Sequence, residues 1–272
     1  MRPGRAALAG AAGAGAAMVV HTGPSIASIR ALRVRVLPGL AGMGTPGHVA
    51  LSFDDGPDAA STPKFLAVLD RLGWRATFFM LGAMVRRAPQ LAAEVRAAGH
   101  EVALHGDEHR SHLRRTPAAV RADLRRGLDA VQEATGDAVR WFRPPYGSLS
   151  AGSVAAASVL RLRPVLWTAW GRDWRARATP ASVVADINRG LAPGGTVLLH
   201  DSDCTSAPGS WKSALGALPY LADLFAARGL QVGPLGQHGV ALPPRRNPRD
   251  CGETTCALLR LRSVATTVSW RK

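Results

Sequence analysis

The sequence predicts an α/β chain of about seven parallel strands separated by helices. Short apolar runs of strand type recur between Val49 and about Gly233. Amphipathic stretches with helix-starting prolines and closing glycines stand between them. Polar clusters follow several of the apolar runs directly, the pattern of repeated βαβ units.

In chain order, Val49–Phe53 is the first strand. Thr62 and Pro63 open a helix with Leu66, Leu69 and Leu72 on one face, closed by Gly73. A strand is expected at Ala76–Met80, a helix from Pro89 to Ala98 ending at Gly99, and a strand at Glu101–Leu104. Thr116 and Pro117 start a long helix through Val120, Leu124, Leu128 and Val131 to Gly136. Trp141–Phe142, Val165–Trp167, Thr196–Leu199 and Leu230–Val232 complete the strands. Further helices run from Thr179-Pro180 to Gly190 and over Ala217–Arg228.

The flanks read differently. Residues 1–45 form a leader and linker in which Arg2 and Arg5 precede an apolar run, Ala6–Val20, and Ser25-Ile26-Ala27 offers a cleavage site. That layout predicts export, to an extracellular or to a cell-wall or membrane-associated position. The alternative is an N-terminal extension on a cytoplasmic protein. Residues 46–237 are the expected catalytic domain, and 238–272 read as a poorly ordered polar tail.

A 272-residue chain with 47% hydrophobic content can bury one sizeable core. The net charge is +15, nearly all from arginine, because Lys64, Lys212 and Lys272 are the only lysines. These arginines are scattered and not interleaved with aromatics, so no nucleic-acid partner is expected. Peripheral association with a membrane or an acidic cell wall stays compatible with the charge. Three cysteines, Cys204, Cys251 and Cys256, make no disulfide framework, although a Cys251–Cys256 bridge would suit an oxidising compartment.

In a parallel barrel the C-terminal ends of all strands share one face, and that face carries the chemistry. Asp54 and Asp55 follow the first strand, His105 the third, Arg143 the fourth, Asp173 the fifth and His200 the sixth. Residues far apart in sequence thus converge. Adjacent carboxylates before Gly56-Pro57 point in different directions, so one can bind a metal while the other faces a water. A turn without chemistry explains the same four residues. His105 and His109, four apart, can present two nitrogen ligands from one helical turn; His112 is a rival, and His100 lies nearby. One carboxylate added to two imidazoles makes a set that leaves positions open, the catalytic type of zinc site. His200 is suited to proton transfer near neutral pH. In Arg143-Pro144-Pro145-Tyr146-Gly147, the arginine can hold a carboxylate and backbone N–H groups beyond the prolines can face an oxyanion.

Ser52-Phe53-Asp54-Asp55-Gly56-Pro57, His105-xxx-His109, Arg143-Pro-Pro-Tyr146, Asp173-Trp174 and Leu198-Leu199-His200 occur in the order of the five motifs of polysaccharide deacetylases, family 4 of the carbohydrate esterases. The chain resembles that family from about Val49 to Val232. The resemblance implies a distorted (β/α) barrel, a divalent metal, usually zinc, and removal of N- or O-acetyl groups from an acetylated glycan such as peptidoglycan or a chitin-like oligosaccharide. Carried onto this sequence, it makes Asp55, His105 and His109 metal ligands, Asp54 the general base and His200 the general acid. Arg143 would orient Asp54, Asp173 belongs to the catalytic set, Tyr146 would offer its backbone N–H to the oxyanion, and Trp174 and Leu198 would line the acetyl pocket. The family often reads Asp-x-x-Asp-Trp where this chain has Trp170-Gly171-Arg172-Asp173-Trp174, and Gly106 replaces a common Ser or Thr. A catalytically weak carbohydrate-binding protein on the same scaffold is the alternative.

Overall fold

The computed structural model describes residue 15 and residues 18–240. Most of the Ala6–Val20 run, Cys251, Cys256 and nearly all of the expected tail lie outside the described residues.

Eight strands form one sheet: β1 (His48–Asp54), β2 (Thr77–Met80), β3 (Glu101–Leu104), β4 (Trp141–Phe142), β5 (Arg163–Pro164), β6 (Ala169–Trp170), β7 (Thr196–His200) and β8 (Gln231–Gly233). Their order is β5-β4-β3-β2-β1-β7-β6, with β8 also on β1, and every pairing is parallel. Both faces of β1 are covered, so six of its seven residues are buried. A continuous apolar run is the sequence mark of such a doubly covered parallel strand. Phe53 stacks on Phe78 at 5.0 Å and meets the edge of Phe65 at 5.1 Å, the centre of the main apolar core.

Among the described residues from Gly23 on, the α-helices are α1 (Arg30–Val36), α2 (Thr62–Arg71), α3 (Gly82–Arg87), α4 (Pro89–Ala97), α5 (Pro117–Thr135), α6 (Ala151–Val159), α7 (Pro180–Gly190) and α8 (Trp211–Ala227). Their ends follow the expected chemistry. The Thr116 hydroxyl accepts from the Ala119 N–H at the start of α5, and Gly136 closes it at φ 67°. Thr179 and Ser182 form a reciprocal capping box on α7.

Several expectations need correction. The strand expected at Val165–Trp167 does not form; β5 and β6 flank that position instead. Its backbone groups bond elsewhere: the Leu166 N–H to Leu40 O, Leu166 O to Arg143, and Trp167 O to Arg33. Helix α8 starts at Trp211, six residues before the expected start, and holds Pro219 in its interior. Helices α1, α3 and α6 were not expected. Helix α6 is set by a Ser150–Ser153 capping box.

The two ends of the strand order, β5 and β6, are joined by residues 165–168 alone. The step from Pro164 to Ala169 can reach at most about 18 Å. The sheet therefore curls round on itself, a distorted (β/α) barrel closed along a seam rather than by a strand pair. The described part of the segment before β1 packs onto this barrel: Arg30 and Arg33 bond to carbonyls of Thr168 and Trp167, and Thr196 bonds to Gly42 O. His238, just past the expected domain end, is fully buried against Gly194 O.

Candidate metal-centred active site

The C-terminal ends of the strands surround a cavity of about 360 Å³. Asp54, Asp55, His105, His109, Tyr146, Trp174, Leu198 and His200 line it, and Arg143 and Asp173 stand directly behind. All ten candidate site residues are thus brought together.

Asp54 is the last residue of β1, while Asp55 lies outside the strand at φ 80°, a left-handed conformation that separates the two side chains. Asp55 Oδ2 accepts the Thr205 hydroxyl at 2.5 Å. Its other oxygen, Oδ1, is buried without a hydrogen-bond partner, 3.4 Å from His105 Nε2 and 3.7 Å from His109 Nε2. One ligand atom from each of these three residues lies within 4.8 Å of the others. An unpartnered carboxylate oxygen facing two ring nitrogens across gaps too long for hydrogen bonds suits a shared cation. The donor set of two imidazoles and one carboxylate therefore fits a divalent metal.

His105 is prepared for that role. Its Nδ1 lies 2.8 Å from Arg143 O, which can only accept, so the proton sits on Nδ1 and the lone pair of Nε2 faces the cluster. Burial, outweighing the attraction of Asp55, holds its pKa down at about 3, so the ring is neutral. The rival His112 is buried elsewhere: Nδ1 meets Ser153 Oγ at 3.1 Å, and the ring stacks on Phe142. His100 accepts from the Ala76 N–H at the opposite end of the strands.

Arg143 is completely buried. It donates to Asp54 Oδ1 at 2.6 Å, Ser52 Oγ at 3.0 Å and Leu166 O at 3.0 Å, and lies 3.9 Å over the Phe79 ring. Asp54 Oδ2 is left facing His105 Nε2 at 3.7 Å. Burial raises the Asp54 pKa, and Arg143 opposes that rise.

Across the cavity, Asp173 accepts both the His200 backbone N–H at 2.7 Å and ring Nδ1 at 2.9 Å. Burial lowers the His200 pKa, but Asp173, then Asp55 and Asp54, outweigh it and lift the value to about 10. Ring Nδ1 is thus fixed against Asp173, which favours the charged imidazole, and Nε2 is the ring's remaining nitrogen. Tyr146 sits in a short 3₁₀ turn at φ 58°, and its ring meets His109 at 4.4 Å. The apolar wall holds Trp174 and Leu198 and adds Trp167 and Trp170, which the motif reading did not place in the cavity. Trp170 stands 5.5 Å from Trp167 and 6.0 Å from Trp174, between the two. Thr205 and Ser206 also line the site, from a loop whose sequence carries no signal for it.

A parallel barrel with a buried carboxylate–arginine pair, a carboxylate–imidazole pair and a His₂Asp cluster at its strand ends defines a metal-site hydrolase scaffold. Comparison with known proteins gives the family. The polysaccharide deacetylase family model matches residues 41–165. A chitooligosaccharide deacetylase of Bradyrhizobium sp. is 36% identical over 197 residues, spanning 70% of this chain and 89% of that protein. The peptidoglycan-N-acetylglucosamine deacetylase PgdA of Listeria monocytogenes is 32% identical over 163 residues, 60% of this chain but only 34% of that larger protein. A family 4 carbohydrate esterase from Streptomyces lividans, solved with acetate, superposes with a TM-score of 0.63 at 30% identity, covering 72% of this chain and 98% of that one. The chain belongs to the polysaccharide deacetylases, carbohydrate esterase family 4.

Proposed function

We propose that the protein is a metal-dependent hydrolase that removes acetyl groups, N-acetyl first and O-acetyl as a secondary class, from an acetylated glycan. The observation that carries this reading is the division of labour between the adjacent aspartates: Asp55 turns an unpartnered oxygen toward two histidines, and Asp54 is held by Arg143. Asp55, His105 and His109 would hold a divalent cation, zinc by preference, which would supply Lewis acidity toward the acetyl carbonyl and the attacking water.

The side chains then have complementary tasks. Asp54 accepts the proton of the attacking water through Oδ2 while Arg143 fixes Oδ1. His200, charged through its pairing with Asp173, delivers a proton to the departing nitrogen. The Tyr146 backbone N–H faces the developing oxyanion, and Trp174 and Leu198 enclose the acetyl methyl. Acetate release from a panel of acetylated glycans, with and without chelator, tests the reading. Release that persists after complete metal removal would overturn the metal dependence. Binding of glycan without any acetate release would favour the carbohydrate-binding alternative.

We also infer an exported protein that works at a membrane or cell-wall surface. Helix α1 supports this by its inverted packing: Arg33 is buried, while Ile29, Leu32 and Val36 are exposed. An apolar face flanked by Arg30 and Arg35 suits an anionic surface. No helix among the described residues is long and apolar enough to cross a membrane. Cleavage near Ser28 in a secreting host supports export; an intact N-terminus on a cytoplasmic pool would refute it.

A further inference from the structure

A second cavity, of about 320 Å³, adjoins the acetyl site at Trp167 and Trp170. The two indoles line both cavities, so they form the wall between them. Four arginines line the second space, Arg30, Arg33, Arg172 and Arg189. The only acidic residue in its lining, Asp186, is already shared by Arg189 at 2.7 Å and Arg175 at 2.8 Å.

The other three cations have no carboxylate partner among the described residues. Arg30 spends its hydrogen bonds on Thr168 O and Gly190 O, and Arg33 on Ala27 O and Trp167 O. Backbone carbonyls orient a guanidinium without cancelling its charge. Arg33 Nε is also buried with no partner. Burial, then repulsion from Arg30 and Arg143, lowers the Arg33 pKa to about 10, as expected where positive charge accumulates unbalanced. Arg172 stands at φ 49°, and its guanidinium carbon lies 6.0 Å over the Trp170 ring. A cation resting on an aromatic face keeps its N–H groups for a ligand.

We propose that this cavity is a subsite for an oxyanion carried by the glycan, a carboxylate or a phosphate, on a sugar beside the one being deacetylated. The proposal rests on the deacetylase reading and narrows its substrate: an acidic acetylated glycan is preferred to a neutral one. Arginine suits this task because its planar fork matches both carboxylate and phosphate oxygens. The shared indole wall sets the distance, since a glycan lying across Trp167 and Trp170 reaches both cavities at once.

The test uses three oligosaccharides of equal length and acetylation: neutral, carboxylated and phosphorylated. In wild-type protein, kcat/KM for acetate release should favour an acidic substrate by about tenfold, the scale of one charge-assisted hydrogen bond, with most of the gain in KM. Which acid gains more identifies the oxyanion. Arg172→Gln should remove most of the preference, and Arg172→Lys should restore part of it. Equal kcat/KM for all three substrates, or a preference that survives Arg172→Gln, overturns the subsite and leaves the deacetylase reading intact. If no substrate releases acetate, the deacetylase reading fails instead. Equilibrium dialysis of the carboxylated and neutral oligosaccharides then still decides the subsite: tighter binding of the acid, lost in Arg172→Gln, supports it, and equal binding refutes it.

Discussion

Replacing Asp173 with asparagine isolates the acid half of the site. The side chain is almost isosteric, and its carbonyl oxygen can still accept the His200 backbone N–H now held at 2.7 Å. The amide nitrogen then meets ring Nδ1, 2.9 Å away in the parent, as a donor. Nδ1 must become an acceptor, so the proton moves to Nε2 and the ring is uncharged. Burial, which opposes the charge on His200, loses its largest counterweight. The pKa should fall from about 10 toward or below 6.5. Three or more pH units correspond to roughly 4 kcal/mol, at about 1.4 kcal/mol per unit. The alkaline limb of kcat should move to lower pH with it. Turnover of an amide substrate should fall by about 10² to 10⁴-fold, the range for a positioned acid. Stability follows the same linkage. A raised folded-state pKa contributes fully below the unfolded value near 6.5 and is lost as pH rises through about 10, so the variant loses most stability at neutral and acidic pH. Acetate release from pH 5 to 11, paired with thermal melts at each pH, measures both. An unchanged alkaline limb with near wild-type turnover would refute the assignment of His200 as an acid tuned by Asp173.

Other perturbations separate the remaining roles. Asp54→Asn should lower turnover by about 10²-fold or more while metal content by elemental analysis stays near the parent value, whereas Asp55→Asn should lose metal; equal metal loss in both would refute the division. His112→Ala should keep its metal but melt earlier, by about 1–3 kcal/mol for the orphaned Ser153 contact and the vacated space beside Phe142; loss of metal there would mean the wrong histidine pair. Phe53→Ala removes the ring packed between Phe65 and Phe78 and should cost about 3–5 kcal/mol in denaturant titration, with under 1 kcal/mol contradicting its place in the core.

The parts of this molecule that were legible in its sequence are those where local pattern and tertiary environment agree. Val49–Phe53 reads as a strand because every residue of it is buried, and Thr116-Pro117 and Gly136 mark α5 through chemistry that depends only on near neighbours. The site was legible because its side chains leave strand ends, so order along the chain becomes convergence in space. Val165–Trp167 was misread because Leu166 and Trp167 find their partners in Leu40, Arg33 and Arg143, which no local periodicity reveals. Thr205 was missed for the same reason: a single hydroxyl in a loop of Ser, Asp and Cys becomes important only when Asp55 folds beneath it. The pair of cavities adjoining at Trp167 and Trp170 depends on where α1 packs, and a scattered arginine composition hides it.

The seam has one further consequence. Arg143 bonds Asp54 of β1 on one side and Leu166, in the link between the two edge strands, on the other. The guanidinium reaches both only after the sheet has curled far enough for its ends to meet. One guanidinium thus ties the central strand to the segment that links the edge strands, so the alignment of Asp54 and the placing of residues 165–168 are mechanically coupled. Displacing the 165–168 link should therefore loosen Asp54 through Arg143, without any change at the carboxylate itself.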